Sequence, residues 1–325
     1  MAWISSAKKN NSNENGLVLY YNSASYYSQR VLMALNEKNL KYKSYLVDFQ
    51  ETNSKNYIYN PAFLKINPLG EVPVLKDGVK IIPDSSRIVD YLEDNFSNGA
   101  IPRLMPDKGS EEASKVQKFR DEIESISAFV FTFGSMKFPE LTKNVKIDEK
   151  IIKSLLESRL KRPEILKNLI IKNPEFKKMY SKKLEAVEKS LAQLSEKSLV
   201  EEEISRVKSL LDDVETELSS HSQDDSSWWL CSKTFTLADI YLATLLLRVK
   251  FIGLSHLFWE SPDKYPFLAV YFQKLMTRES VKAVLVNSSS IGSSFVCDRL
   301  DFLSIMAITA VATILGSIFL YKRLK

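Results

Sequence analysis

The chain has 325 residues, enough for about two domains, and its 45% apolar and 26% charged residues are typical of a globular protein. Two cysteines and two histidines cannot form a disulfide framework or a four-ligand zinc site, so no metal is predicted. The net charge of +5 is concentrated in residues 143–183, with 13 Lys and Arg against 5 Asp and Glu. This basic segment indicates either a solvated helix face or a partner with an anionic surface, lipid or protein. No nucleic-acid partner is predicted.

The first elements form a strand, a helix and a second strand. Residues 1–16 are polar, lack the apolar core of a signal peptide and are predicted to be disordered. Leu17–Tyr21 is a short apolar run expected to be a buried strand, in which the tyrosines pack. Ser28–Lys38 has apolar residues at helical spacing, and Tyr42–Val47 predicts the second strand. A unit of this length should be parallel and right-handed.

The next segment, NPLGEVPVL, leads from a loop into a strand. Pro73 cannot donate a hydrogen bond to a sheet, so it belongs at the start of the strand, and the tight turn favours a cis bond after Val72. Asp77-Gly78 predicts a hairpin that returns the chain through residues 79–82.

Asp84 and Ser85 come directly before a predicted helix at Ser86–Asn95 and are suited to cap it. The order of elements from Leu17 to Phe96, with NPLGEVPVL, the Asp-Gly hairpin and a helix containing DYLE, is similar to the thioredoxin-like N-terminal domain of glutathione transferases. The resemblance implies an α/β domain over residues 17–97 and a linker at residues 98–109.

The second domain is predicted to be all-helical, over residues 110–286. Thr236 and Asp239 have the spacing of a capping box at the start of a nearly all-apolar helix that reaches Gly253. The segment FTLAD, which contains both residues, is similar to the folding-nucleus motif of transferase C-terminal domains. The resemblance implies a structural role for it.

Within this domain we expect a long helical insertion at about residues 139–220. Two heptad stripes, one from Tyr180 to Leu194 and one from Ile204 to Leu218, predict two long helices with coiled-coil spacing. The polar segment Ser195–Glu203 separates them, which predicts a helical hairpin or a bent helix. The stripes either pack on the parent domain or form an arm that binds a protein partner.

The C-terminal end carries a predicted membrane span. After a linker at residues 287–301, Phe302–Tyr321 is a run of 20 residues without a charge. At about 1.5 Å per residue it would span roughly 30 Å, the thickness of a bilayer core. A short basic tail follows at residues 322–325. We expect a single-pass tail anchor in the mitochondrial outer membrane, or alternatively in peroxisomes, with the body facing the cytosol.

Several of these features together resemble the ganglioside-induced differentiation-associated protein family. They are the insertion, NPLGEVPVL, the string RLMPDK at Arg103–Lys108, the WLC and FTLAD segments, and the tail anchor. The resemblance covers about Leu17 to Asn287. It implies a glutathione-transferase-like protein of the mitochondrial outer membrane that influences mitochondrial fission.

The resemblance also implies a glutathione site. Ser25 is the first candidate for the hydroxyl that activates the thiol, and Ser28 is the second. Val72, before Pro73, would pair its backbone with that of glutathione. Ser85 would receive the γ-glutamyl carboxylate and Asp84 the ammonium group. Alternatively, these side chains serve only as helix caps.

Two functions follow from these observations. One is a regulator of mitochondrial shape, with or without bound glutathione, which acts through the insertion and the membrane anchor. The other is a membrane-anchored transferase that conjugates glutathione to electrophiles with the help of Ser25. Enzymatic activity and homodimer formation are left open.

Overall fold

A four-stranded mixed sheet forms the centre of the N-terminal part. The computed structural model describes residues 16–49, 57–142, 148–221, 227–260 and 263–289. The strand order is β2-β1-β3-β4; β1 and β2 are parallel, and the other pairs are antiparallel. The strands are β1 (Leu17–Tyr21), β2 (Tyr42–Leu46), β3 (Val74–Asp77) and β4 (Lys80–Pro83).

Three helices accompany this sheet: α1 (Tyr26–Glu37), α2 (Pro61–Leu64) and α3 (Ser85–Asn95). The apolar residues predicted for the inner face of α1, Val31, Leu32 and Leu35, are buried. The helices begin and the strands end within two residues of the predicted positions, because the caps and turns that delimit them are local. The predicted thioredoxin-like domain is confirmed.

The C-terminal part is helical, as predicted. Its central helix is α10, which is buried almost all round and packs against α1 and α4. The helices are α4 (Glu111–Ser125), α5 (Ala128–Lys137), α6 (Glu149–Leu160), α7 (Arg162–Lys172), α8 (Lys177–Gln193), α9 (Lys197–Ser219), α10 (Leu237–Phe251), α11 (Pro266–Thr277) and α12 (Glu279–Ser289).

A capping box is present at the start of α10. The Asp239 carboxylate accepts hydrogen bonds from the Thr236 N–H at 2.7 Å and from the Leu230 N–H at 2.9 Å. It also accepts one from the Tyr271 hydroxyl at 2.7 Å. Asp239 is fully buried, and this set of donors offsets the cost of removing a carboxylate from water.

The linker between the two parts is held by Glu93, which belongs to the DYLE segment. Its carboxylate forms a buried ion pair with Lys38 at 2.7 Å and accepts the backbone N–H of Leu104 at 3.1 Å. The Leu104 carbonyl in turn accepts the N–H of Leu237, in FTLAD, at 2.8 Å. Three segments that are distant in the sequence therefore meet at the linker.

The two heptad stripes lie on α8 and α9, but these helices do not form the predicted coiled coil. Helix α8 packs against α7, whereas α9 packs against α5 and α11. The α7–α8 pair is docked on the N-terminal domain: the Tyr180 hydroxyl donates to the Tyr59 carbonyl at 2.9 Å, and Lys183 forms an ion pair with Glu71 at 2.7 Å. Of the two outcomes that the sequence left open, the stripes pack on the parent domain, and because that packing already buries them the coiled coil does not form.

The residues up to Val284 form one compact unit, and a second unit starts at Leu285. Among the described residues, no helix is both long and apolar enough to cross a membrane. The predicted span Phe302–Tyr321, the basic tail at 322–325 and all but the last residue of the predicted disordered segment 1–16 lie outside the described residues.

Candidate functional site

Three chain segments meet at one edge of the sheet. Tyr20 in β1 pairs with Val74 in β3, and Val74 pairs with Pro83 in β4. The end of β1, the start of β3 and the end of β4 are therefore neighbours. This register brings together Ser25, Val72, Pro73, Asp84 and Ser85, which we call the strand-end site.

Ser25 lies in the strand-end site at the N-terminus of α1. It is the N-cap residue, and its Oγ accepts the N–H of Ser28 at 3.3 Å. The cap uses an acceptor position of the hydroxyl and leaves its proton for another partner. The N-terminus of α1 also favours a negative charge at this place. Capping and thiol activation are therefore compatible at Ser25.

Ser28, the second candidate, is less suitable. Its side chain is 0% exposed, compared with 9% for Ser25. Its Oγ accepts the N–H of Asn22 at 3.3 Å, which fixes the turn between β1 and α1. A hydroxyl that has no access to solvent and is used inside a turn does not meet a ligand, so the geometry favours Ser25.

The bond between Val72 and Pro73 is cis, as the sequence predicts. Val72 is buried in an apolar cluster with Tyr59 and Val74. The preceding residue, Glu71, is the partner of Lys183 in α8. The cis turn is thus held both by the core of the N-terminal domain and by the docked helix pair.

Asp84 has a backbone conformation that is rare for a residue with a side chain. Its φ is 77° and its ψ is 131°. The carboxylate accepts the N–H of Ser86 at 3.0 Å and of Arg87 at 3.1 Å, which caps α3. Strain of this kind costs about 1–3 kcal/mol and is concentrated at functional sites. Asp84 is exposed, so its second carboxylate oxygen can reach a ligand.

Ser85 is the first residue of α3 and is almost completely buried. Its Oγ accepts a hydrogen bond from the Arg30 guanidinium at 3.4 Å. The hydroxyl and the backbone N–H of Ser85, together with the positive end of the α3 dipole, suit a carboxylate.

Arg30 was not predicted. It lies on α1, is 0% exposed and forms an ion pair with Glu124 of α4. Its guanidinium stacks 3.7 Å from the centre of the Tyr241 ring and donates to Ser86 at 3.3 Å. Arg30 therefore connects the N-terminus of α3 to the helical domain. A positive charge directly before the apolar run Val31–Leu35 was its only sequence signal.

Tyr27 was also missed. It lies two residues after Ser25 and is 39% exposed. Partial burial of its side chain, together with the neighbouring Tyr26, raises the pKa of Tyr27 to about 12. The hydroxyl therefore stays protonated at neutral pH and can donate a hydrogen bond. Tyr20, in contrast, packs against Tyr45 with ring centres 5.3 Å apart, as expected for a strand tyrosine.

Over the residues that the structure describes, the remaining cysteine, histidine and acidic side chains form no second reactive centre. Within the described ranges, no group of three or more His, Cys, Asp or Glu could hold a metal ion. Cys231 is buried, and burial together with the nearby Asp239 raises the pKa of its thiol well above the ordinary value. That thiol is not a nucleophile at neutral pH.

Two family models match the chain. The glutathione S-transferase N-terminal domain matches residues 19–107, and the glutathione S-transferase C-terminal domain matches residues 197–274. The second match begins with α9, so helices α6 to α8 are the part of the predicted insertion that lies before it.

Relatives and solved structures agree with this assignment. Ganglioside-induced differentiation-associated protein 1-like 1 from Homo sapiens is 28% identical over 277 residues, which cover 83% of this chain and 73% of that protein. The resemblance to that family is therefore confirmed.

Two solved structures share the fold. Beta-etherase LigF from Sphingobium sp. strain SYK-6 has a TM-score of 0.58 at 20% identity, covering 84% of this chain and 100% of that one. Glutathione transferase URE2P6 from Phanerochaete chrysosporium, solved with oxidized glutathione, has a TM-score of 0.54 at 18% identity, covering 86% and 99%.

Proposed function

This chain carries the N-terminal and C-terminal domains of a glutathione S-transferase, and we propose that it binds glutathione at the strand-end site and regulates mitochondrial shape from the mitochondrial outer membrane. The observation that carries the first part is the meeting of Ser25, the cis Val72-Pro73 turn and Asp84-Ser85 at one sheet edge. Solved structures of the same fold contain glutathione or a derivative of it, which supports the ligand.

Each group has a distinct role in this proposal. Ser85 and the N-terminus of α3 hold the γ-glutamyl carboxylate, and Asp84 holds the ammonium group. The backbone of Val72 pairs with the backbone of the peptide. The Ser25 hydroxyl and the N-terminus of α1 stabilise the thiolate, which lowers the pKa of the bound thiol.

The location rests on the confirmed resemblance and on the apolar segment Phe302–Tyr321. A protein partner would bind the exposed side of helices α6 and α7. Leu160 and Ile171 are 63% and 77% exposed there, next to many lysines. Exposed apolar side chains of this size are common at binding surfaces.

A second candidate function is conjugation of glutathione to electrophiles. The position of Ser25 favours it, because the hydroxyl proton is not used by the cap. Regulation needs only a bound ligand, whereas conjugation needs an activated thiolate. The two functions therefore differ in what they require of Ser25.

Binding and turnover are tested separately. Calorimetry with the full-length protein in a mild detergent should detect binding of glutathione at millimolar concentration or below. No heat of binding at about 10 mM, a limit for weak binding, would contradict the glutathione site. Ser25→Ala is then assayed with a standard electrophile. Ser110→Ala is the matched control, because Ser110 caps α4 in the same way, with an Oγ to N–H distance of 3.1 Å.

Conjugation predicts that only Ser25→Ala loses turnover, by about 10²-fold or more, since an electrostatic donor in an active site contributes about that factor. Equal turnover in both variants would remove Ser25 from catalysis. Absence of turnover in the wild type would leave regulation as the function.

The membrane part of the proposal has its own tests. A fluorescent fusion of residues 287–325 should localise to mitochondria, and a diffuse cytosolic signal would contradict the anchor. Ile171→Asp should abolish an effect of the full-length chain on mitochondrial shape without changing its location. Val270→Asp is the control, since Val270 is equally a helix residue and 66% exposed. Identical behaviour of both variants would argue against a partner surface on α7.

A further inference from the structure

The strained turn at Asp84 is supported by side chains from outside α3. Its φ of 77° is rare for a residue with a side chain, and strain of this kind persists only where the surrounding structure fixes it. The next two residues, Ser85 and Ser86, begin α3. Both serine hydroxyl groups accept hydrogen bonds from other elements of the fold, so these contacts are suited to fix the turn.

Tyr241 of α10 makes the shortest of these contacts. Its hydroxyl donates a hydrogen bond to Ser86 Oγ at 2.9 Å, although the two residues are 155 positions apart in the sequence. Tyr241 is 1% exposed, and a tyrosine hydroxyl that is buried to this degree usually needs a partner. Tyr241 follows Asp239 by two residues, close to the end of α10 that the capping box fixes. The contact therefore comes from a well-anchored part of the helical domain.

Two arginines hold Tyr241 in place. The guanidinium of Arg30 lies 3.7 Å from the centre of the Tyr241 ring, and it also donates to Ser86 Oγ at 3.3 Å. Arg120 donates to the Tyr241 hydroxyl at 3.4 Å and forms an ion pair with Asp90 of α3 at 2.6 Å. The Tyr241 hydroxyl thus accepts one hydrogen bond and donates another, which directs its proton toward Ser86.

Ser86 connects this contact to the groups of the strand-end site. Its backbone N–H donates to the Asp84 carboxylate at 3.0 Å, and it is the direct chain neighbour of Ser85. A displacement of Ser86 would therefore move both the carboxylate proposed to hold the ammonium group and the hydroxyl proposed to hold the γ-glutamyl carboxylate. Tyr241 can influence the ligand in this way without touching it.

We propose that Tyr241 is a positioning residue: through Ser86 Oγ it holds the start of α3 and the strained Asp84 in the shape that receives the γ-glutamyl end of glutathione. The inference rests on the proposed function for the identity of the ligand. It extends the role of the FTLAD segment, because the helix that this segment starts then determines the affinity of a site in the other domain.

The test combines two substitutions in the full-length protein. Tyr241→Phe removes the hydroxyl and keeps the ring that packs on Arg30. Ser86→Ala removes the acceptor, and a double variant contains both changes. Tyr91→Phe is the matched control, because Tyr91 also lies on α3 and its hydroxyl donates to Asp77 at 2.7 Å, outside the strand-end site.

Two quantities are measured at a temperature at which every variant is folded. Calorimetry in a mild detergent gives the Kd for glutathione. Hydrogen exchange of the Ser86 and Arg87 amides, which donate to Asp84, reports on the turn itself and needs no ligand.

We expect Tyr241→Phe to raise the Kd for glutathione about fivefold, the usual size of one hydrogen bond, and to speed the exchange of both amides by a similar factor. Ser86→Ala should weaken binding at least as much. Adding Tyr241→Phe to Ser86→Ala should change the Kd no further, because both substitutions remove the same contact. Tyr91→Phe should keep the Kd and the exchange rates of the wild type.

The proposal is overturned if Tyr241→Phe leaves either the Kd or the exchange rates unchanged, or if the effects of Tyr241→Phe and Ser86→Ala on the Kd add up in the double variant. A loss of affinity that Tyr91→Phe shares would also overturn it, since that loss would come from a general weakening of α3. Failure of the proposed function is a different result. The wild type would then bind no glutathione, while faster amide exchange in Tyr241→Phe would still support the hold of Tyr241 on the turn.

Discussion

Replacing Asp84 by glycine is expected to stabilise the protein while weakening its binding of glutathione. Asp84 has a φ of 77°, in a region that glycine adopts freely and other residues rarely adopt. Its carboxylate also caps α3 through the N–H groups of Ser86 and Arg87. The substitution thus removes both the backbone strain and the helix cap. The relative size of these two effects decides whether the free energy of unfolding rises or falls.

The relief of strain is worth about 2 kcal/mol, within the range of about 1–3 kcal/mol for such a backbone. Exchange of an aspartate N-cap for glycine costs about 0.3 kcal/mol, and the added freedom of glycine in the unfolded chain costs about 0.7 kcal/mol. The expected net change is a gain of about 1 kcal/mol in the free energy of unfolding.

Asp148→Gly is the matched control. Asp148 is also an N-cap residue, of α6, and its carboxylate accepts the Lys150 N–H at 2.8 Å, but its φ is an ordinary −56°. This variant has the same two costs and no strain to relieve, so its free energy of unfolding should fall by about 1 kcal/mol. The two variants should therefore differ by about 2 kcal/mol in urea unfolding without ligand.

Binding gives the second readout. Loss of the contact between the Asp84 carboxylate and the ammonium group should raise the Kd for glutathione about tenfold in calorimetry. Equal destabilisation by Asp84→Gly and Asp148→Gly would refute the argument from strain. Higher stability with an unchanged Kd would instead show that Asp84 is only a cap.

Three further outcomes are expected. Tyr180→Phe leaves the buried carbonyl of Tyr59 without its donor, which should lower the free energy of unfolding by about 1–2 kcal/mol in urea titrations. In a Cys297→Ser variant, burial of the Cys231 thiol should prevent its reaction with a thiol reagent at pH 8 until urea is added. Burial raises the pKa of Glu93, but the hydrogen bonds from a lysine and two backbone N–H groups outweigh it and lower the pKa below its ordinary 4.5. The stability of the protein should therefore fall as the pH drops through this lowered pKa. Glu93→Gln should make the Tm less dependent on pH in this range.

Each of these has a control or a contradicting result. Tyr45→Phe removes a hydroxyl from a partly buried ring of the sheet and should change stability less than Tyr180→Phe. Rapid modification of Cys231 in the native protein would show that the thiol is accessible. Glu185→Gln, at an exposed position in the middle of α8, should keep the pH dependence of the wild type. An equal loss of pH dependence in both glutamate variants would refute the role given to Glu93.

The prediction of the N-terminal domain from sequence succeeded where structure is local. The cis turn at Pro73, the hairpin at Gly78 and the cap at Asp84 each follow from the backbone preferences of one or two residues. The capping box at Thr236 is of the same kind. These short-range rules also placed the ends of the strands and helices that bring the strand-end site together.

The helical insertion shows the opposite case. Heptad spacing identified the buried face of α8, including Tyr180, but a stripe does not specify what covers it. The structure supplies the N-terminal domain as the cover, through Tyr59 and Glu71, which are more than 100 residues away along the chain. Because hydrophobic burial is not directional, only the packed fold decides the partner of such a stripe.

By itself, the sequence determined the two domains and the order of their elements, and its resemblance to glutathione transferases implied Ser25, Val72 and Asp84-Ser85 as the candidate groups of the site. Only the tertiary structure decided between Ser25 and Ser28, by burying the second. It also revealed Arg30, which is buried and paired with Glu124 of α4. Charges such as these acquire their chemistry from burial and from neighbours that are distant in the sequence, and neither can be read from residue spacing.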